Sequence, residues 1–477
     1  MEDLLHRAEQ ALEYARRAGA EAAEVFVIDA PTDTVAFEPE GRGKVALRTA
    51  VTVPQHGLGL AARWGGRLVG FSSTTDLSAE GLTLVVEGSR AAAVPEEPPL
   101  PLTPGASGGE GPPGADHTLG LVDPRVVEMN LPDLVGLGRE VVAEALEAGG
   151  SVLSVIATAT CRRVAVANSF GLRRSSLDTL VSAAAYVASP KGGLAAHARS
   201  SRSVEGLRRE QVGRRAAEMA AASEGAREAP RGPLTVVIRP EAVLSLLSNS
   251  LGPALGADRV LAGLSPFGGP DGEPCLGRPV AAAILTVTDD ALLPGGTGSR
   301  LFDAEGTPGR ATTVIEAGRL VSLLHNNLTA ARLRALTVAV STGNASRERS
   351  ERMRTFVEPA GEYGYRAGVA PSNLVVTAPG ATYSTPAAAG VGRALLVADV
   401  MGAFVIDPAV GDFSVTTTNA WVLEDGHPAY PVRRAMLSGN VYELLRRVVA
   451  LAGEPADVRG SFSVVTPAWV VDGVSVV

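Results

Sequence analysis

Cysteine is nearly absent from this chain: Cys161 and Cys275 are the only two in 477 residues, and neither belongs to a CxxC pair. A disulfide framework is thereby excluded, and a reducing cytoplasm is the expected compartment. Long hydrophobic runs are missing too. Apolar stretches such as Val464 to Val477 are broken by Pro, Asp and Gly, and none reaches the roughly 20 residues that cross a bilayer. The opening Met-Glu-Asp-Leu-Leu-His-Arg is acidic and amphipathic, so no signal peptide and no membrane attachment are expected. An excess of positive charge is also lacking. The formal net charge of −8 argues against a nucleic-acid surface. Arginines gather between Arg199 and Arg215, but Glu205 and Glu210 interleave with them, which reads as a solvated helix face.

Several chemistries are excluded by missing motifs. The six histidines are His6, His56, His117, His197, His325 and His427, and no two lie within five residues, so no local metal pair exists. Gly57-x-Gly59 has no third glycine and no βαβ context, and no Gly-x-Ser-x-Gly elbow is found. Ser248 has no neighbouring His or Lys to activate it as a nucleophile.

What is present is a soluble α+β composition: 45 % hydrophobic and 20 % charged residues, with 54 Gly and 32 Pro implying many turns. Residues 2–19 place apolar side chains at helical spacing and stop at Gly19. Strands are expected at 23–28 and 45–53, a hairpin around Gly65-Gly66, and a helix at 77–90 with Ser78 as its cap. The Pro- and Gly-rich run 94–119 reads as an exposed loop or linker. A helix at 131–148, a hairpin of 152–158 with 161–168, and a polar helix at 204–222 follow. Beyond residue 233 short strands prevail, one of them at 314–324, with helices only at 241–263, 327–335 and 437–452. The expected organisation is an N-terminal α+β domain (1–93), the linker (94–119), a central α+β domain (120–226) and a β-rich C-terminal domain (233–477).

The run from Leu246 to Asp258, Leu-Leu-Ser-Asn-Ser-Leu-Gly-Pro-Ala-Leu-Gly-Ala-Asp, resembles the zinc helix of the TldD/PmbA family, whose catalytic branch reads Leu-Leu-His-Glu-Ala-Val-Gly-His-Gly-Leu-Glu-Gly-Asp. Ser248 stands at the first His position, Asn249 at the catalytic Glu and Pro253 at the second His, while Leu246, Leu247, Gly252, Leu255 and Asp258 fit the frame. Further blocks resemble the family in the same order: Gly57 to Arg63 with Gly70 to Thr74, Leu301 to Pro308, Thr329-Ala330 with Ser341 to Asn344, Val400 to Gly402 with Gly411 to Ser414, and Tyr430 to Val432 with Gly439-Asn440.

Zinc requires imidazole, thiolate or carboxylate donors and its water requires a base. A hydroxyl, an amide and a proline ring supply neither. The resemblance implies the TldE or PmbA branch, which lacks the zinc helix, and the late Cys ligand of the catalytic branch has no counterpart after Cys275. It therefore implies a chain inactive alone and without its own cofactor, paired with a TldD-like subunit that carries zinc, the pair acting on unfolded or short peptides. A stand-alone binding or scaffold homodimer, and a pair that hydrolyses an amide in a small natural product, are the alternatives. His325, at the end of a strand-like run, and Asp303 with Glu305, two residues apart, are candidate cleft-lining residues. For His325 a hydrogen-bonded turn histidine is the competing reading, and for Asp303 a turn stabilised by its carboxylate.

Overall fold

The computed structural model describes residues 2–41, 44–105, 118–270, 272–334, 340–347, 361–378 and 390–477. Its N-terminal half contains α1 (Glu2–Arg17), β1 (Ala22–Asp29), β2 (Thr32–Pro39), β3 (Val45–Val53), β4 (His56–Arg63), β5 (Leu68–Thr74), α2 (Ala79–Ala91) and β6 (Val94–Pro95). It continues with α3 (Pro124–Val127), α4 (Leu131–Glu147), β7 (Ser151–Asn168), β8 (Arg173–Ala188), β9 (Leu194–Ser201), α5 (Val204–Arg209) and α6 (Val212–Ala222). The strands form one sheet in the order β3-β2-β7-β1-β4-β5-β6, with β8 on β7 and β9 on the outside of β8. Residues 1–93 and 120–226 thus share a single sheet instead of closing two, because β7 pairs with both β1 and β2.

β7 departs from expectation. The hairpin read at 152–168 is one 18-residue strand. Thr158-Ala159-Thr160-Cys161 holds no Gly, Pro, Asn or Asp to reverse the chain. The reversal comes later, at Gly171 (φ 84°). The polar helix at 204–222 is likewise two helices, parted at Gln211 with its left-handed φ of 46°. Helix faces supply the core on this sheet. Ala8, Ala11 and Ala15 of α1 meet Val25 and Val27, and Leu134 and Val141 of α4 meet Val155 and Ala217.

The expected linker is only partly described, since 106–117, with His117, lie outside the described residues. The described part does not hang free. Val94 pairs with Val69, Leu100 is buried against Ala22 and Ala61, and the Thr103 carbonyl accepts from Asn168 Nδ2 at 2.8 Å. The Arg- and Glu-rich stretch 346–370 is described only at 346–347 and 361–370.

The C-terminal half runs β10 (Gly232–Ile238), α7 (Pro240–Ser248), α8 (Leu251–Ala254), α9 (Ala257–Leu261), β11 (Thr286–Asp290), β12 (Ala311–Glu316), β13 (Arg319–Leu320) and α10 (Asn327–Leu333). Then come β14 (Ala345–Ser346), β15 (Gly368–Val369), β16 (Asn373–Thr377), β17 (Ala394–Met401), β18 (Asp412–Glu424), β19 (His427–Val432), β20 (Met436–Asn440), α11 (Val441–Arg446), β21 (Val448–Arg459) and β22 (Ser463–Val476). The order β10-β17-β18-β20-β22 closes into a ring through the β10–β22 pairing, and β22 also leads to β16, β11, β12 and β13. Closure gives each of the five ring strands a partner on both sides. Its core holds Leu247, Leu251, Leu255, Val464 and Trp469.

Three readings change here. The 437–452 helix is only α11 between two strands, because the Asn440 side chain caps it by accepting from the Tyr442 and Glu443 N–H groups, and β-branched Val448-Val449 resumes a strand. The 241–263 helix is three short ones. The 314–324 strand is a hairpin that turns at Ala317 (φ 44°) and Gly318 (φ 76°). The architecture is a mixed α/β N-terminal half followed by a β-rich C-terminal half.

Candidate functional site

β10 delivers the chain to α7 at Arg239, whose N–H donates to the Val397 carbonyl at 3.0 Å. Pro240 opens the helix, where a missing N–H needs no partner. Leu246 and Leu247 on α7, and Leu251, Ala254 and Leu255 beyond it, are buried in the core. At Gly252 a Cβ would overlap the Phe462 ring. The Asp258 carboxylate accepts from the Arg259 and Val369 N–H groups. The frame positions kept from the family pattern are therefore packing and turn positions.

Ser248, Asn249 and Pro253, the three positions read against the family's zinc helix, do not share one helix. Ser248 ends α7, Asn249 follows as its C-cap, and Ser250 leaves helical geometry (φ −135°, ψ −93°) while its Oγ donates to the Leu246 carbonyl at 2.7 Å. Pro253 belongs to α8. Ser248 and Asn249 line a cavity of about 630 Å³ between the two halves, and Pro253 is not among its lining residues.

One wall of this cavity is the outer face of the first sheet at its edge. Strand register puts Ile156, Ala184 and Ala198 in one row and Ser154, Tyr186 and Ala196 in the next. The facing wall is Leu244, Ser245 and Ser248 of α7, with Asp399 to Phe404 at the end of β17. Charged groups gather where the walls meet. Arg199 Nη2 lies 2.6 Å from Glu241 Oε1 and Arg199 Nε 3.2 Å from Glu210, while Arg239 Nε lies 3.8 Å from Glu241 Oε2. Burial opposes ionisation of Glu241, but Arg239 and Arg199 outweigh it and hold its carboxyl below the ordinary value. Burial, with help from Arg199, pushes His197 down to about 3, so its ring is neutral. Asp399 is raised by burial and by Glu241, against hydrogen bonds from Val400 N–H and Ser245 Oγ.

Arg199 and Arg202 correct the solvated-face reading of the Arg199–Arg215 cluster. Both are buried and precede the first helix of that region, Arg199 on β9 and Arg202 just after it. Strand alternation at Ala195, His197 and Arg199 was the available signal, obscured by charges that suggested solvent.

The other candidates lie outside this cavity, and His325 lines neither of the two adjoining cavities of Asp303 and Glu305. Asp303 accepts from the N–H groups of Glu305, Thr307 and Ala345, each at 2.9 Å, and burial lifts it to about 6; it lines a cavity of about 180 Å³. Glu305 accepts from Asn327 N–H at 2.8 Å and lines a cavity of about 160 Å³ beside Glu24 and Arg347. Burial and the neighbouring Glu24 raise it well above its ordinary value. His325 lines a third cavity of about 310 Å³, its backbone N–H donating to Thr342 Oγ1 at 2.7 Å; burial and Arg310 push its ring down to about 4.

The donor set at the former zinc positions does not suit the metal. Ser248 offers a hydroxyl, Asn249 an amide and Pro253 no side-chain donor. Among the described residues no three His, Cys, Asp or Glu side chains are grouped to hold a metal ion. Among them, too, no helix is long and apolar enough to cross a membrane.

Comparison with known proteins follows the same lines. The chain is 28 % identical over 240 residues to an uncharacterized protein of Methanocaldococcus jannaschii, covering 50 % of this chain and 49 % of that one. It is 29 % identical over 247 residues to a metalloprotease of Methanothermobacter thermautotrophicus, covering 50 % and 47 %. The chain thus spans about half the length of the curated relatives it matches. The crystal structure of TldE from Thermococcus kodakarensis has the same fold, with a TM-score of 0.81 at 19 % identity, covering 98 % of this chain and 99 % of that one. Residues 231–477, the half that holds α7 and the strand ring, match the PmbA/TldA metallopeptidase C-terminal domain, and the chain belongs to the PmbA/TldD family.

Proposed function

We propose that this chain is the non-catalytic subunit of a two-component metallopeptidase, paired with a TldD-like chain of its own family that carries the zinc. One observation carries the reading: the helix frame is kept at Leu246, Leu247, Gly252, Leu255 and Asp258, whereas the positions that would ligate metal or activate water are Ser248, Asn249 and Pro253. Packing residues have a structural task whether or not the metal is bound, so they persist when the donors go. Donors are dispensable only where a partner still provides them. In the partner, two His five residues apart lie about 140° apart around an ideal helix, so that helix bends to bring both onto one metal. The proposed substrates are unfolded or short peptides, held between the two subunits in a cytoplasmic enzyme.

Co-expression with a family member bearing an intact His-Glu-x-x-x-His helix tests this. The two chains are expected to elute together, and an unfolded polypeptide should be cleaved only by the pair, with loss of cleavage on chelation and return on adding zinc. Elution of this chain as a homodimer that ignores such a partner would favour the scaffold reading instead.

A further inference from the structure

Asp399 is presented to the large cavity in an unusual way. Its pairing with β18 is irregular on both sides, with register shifts between Val397 and Asp399 and again between Asp399 and Val400. Irregularities of this kind re-aim a side chain out of the regular strand alternation. The Asp399 side chain lines the cavity, and one of its oxygens is fixed: Oδ1 accepts from Ser245 Oγ at 3.0 Å and from Val400 N–H at 2.7 Å. Oδ2 has no hydrogen-bond partner among the described residues, and no cationic side chain among them pairs with the carboxylate. The nearby arginines are committed elsewhere, Arg199 to Glu210 and Glu241, Arg239 to Glu241, and Arg459 to the Thr297 carbonyl.

Two acceptors at the margin of the cavity lack a hydrogen-bond donor. Seven buried side-chain polar atoms have no hydrogen-bond partner among the described residues; five are arginine Nε donors. The two that can accept are His197 Nε2, on a side chain 5 % exposed, and Glu241 Oε2, and both residues line this cavity. A buried acceptor without a donor keeps its desolvation cost uncompensated. A primary ammonium brings three N–H donors and no acceptor, which suits the open Asp399 Oδ2. The neighbouring rows of Ile156, Ala184 and Ala198 are apolar and small enough for a peptide backbone to lie close.

We propose that this cleft binds the primary ammonium group of a peptide, with Asp399 Oδ2 as its counter-charge and the Ile156–Ala184–Ala198 row beneath the residues that follow. The assignment goes beyond the pairing with a zinc-bearing subunit, since it is a property of this chain alone. An α-amino terminus and a lysine side chain share the required chemistry.

Calorimetric titration of the full chain tests it with three probes: Ala-Leu-Ala-Leu-amide with a free amino terminus, its N-acetylated twin, and an N-acetylated peptide with one lysine. The free-amine peptide should bind at least about tenfold more tightly than the acetylated twin, the scale of one partly buried ion pair. D399N should bring it down to the twin's affinity. A198L, an exposed position on the outer face of β9, should weaken binding of the free-amine peptide by filling the floor. If the lysine peptide binds like the free-amine one, the cleft reads any primary ammonium; if it binds like the twin, the cleft reads the chain terminus, and both agree with the proposal. Equal affinities for the free-amine and acetylated peptides, undiminished binding by D399N, or no binding of any probe would overturn it. Because no partner enters the titration, its outcome is separate from that of the co-expression experiment.

Discussion

Replacing Asp178 with asparagine is expected to lower stability at neutral pH by about 3–5 kcal/mol, the usual cost of removing one partner from a buried ion pair. Asp178 is on β8, and its Oδ1 accepts from Arg202 Nη1 at 2.9 Å and its Oδ2 from Arg162 Nη1 at 3.3 Å. Arg202 also donates to the Ser299 carbonyl at 2.7 Å and to the Gly296 carbonyl at 3.2 Å, and Arg162 pairs with Glu362 at 2.8 Å. One carboxylate of the first half thus orients two arginines that grip loops of the second. Without it, Arg202 stays buried with no counter-charge. Burial works against ionisation of Asp178, but Arg202 and Arg162 outweigh it and keep its carboxyl below 3.8. A depressed carboxyl contributes stability above its unfolded value and loses it as pH falls through the folded one. The deficit of D178N in thermal midpoint should therefore be full at neutral pH and shrink below about pH 3.8. A change under about 0.5 kcal/mol at neutral pH, the size of an ordinary surface substitution, would contradict this account.

Substituting Arg347 with methionine is expected to act just as strongly, with a deficit that already narrows between pH 7 and pH 5. Arg347 is buried, its Nη2 3.6 Å from Glu24 Oε1, its Nη1 donating to the Tyr365 carbonyl and its guanidinium 4.8 Å from the Phe26 ring. Burial raises Glu24 from 4.5 to about 7, with Arg347 pulling it back. A carboxyl raised in the folded state stabilises while protonated, so this contribution is complete below 4.5 and fades as pH rises through about 7. Removing Arg347 takes away the cation paired with Glu24 and adjacent to Glu305. The loss should reach about 3–5 kcal/mol above pH 7 and narrow toward pH 5, where both carboxyls are neutral in the folded chain. Adding E24Q to R347M should restore much of the stability at high pH. A deficit that does not vary with pH, or no rescue by E24Q, would show that Arg347 acts through packing alone.

The sequence carried the elements best where one period dominates. The amphipathic α1, the Gly65-Gly66 hairpin and the Ser78 cap, whose side chain accepts from Gly81 N–H, are local features with local causes. The closure of β10 onto β22 was not legible, because it joins residues more than 200 apart and leaves no mark on either strand alone. Nor was β7 as one strand: β8 pairs along nearly all of one edge, while β1 and β2, far back in the chain, share the other. At the site, the side-chain chemistry of Ser248, Asn249 and Pro253 was readable directly from the sequence. The cavity was not. Its walls come from β7, β8 and β9 on one side and from α7 and β17 on the other, and Asp399 reaches it through a strand irregularity that no spacing announces.

The central claim is that this chain holds no catalytic metal of its own, and the most direct measurement is its zinc content. The chain is purified without any partner, incubated with excess zinc, freed of unbound metal by gel filtration and analysed by atomic emission. Far less than one zinc per chain is expected, with no cleavage of an unfolded polypeptide. One equivalent of zinc, abolished by substituting a single histidine such as His325, would contradict the account.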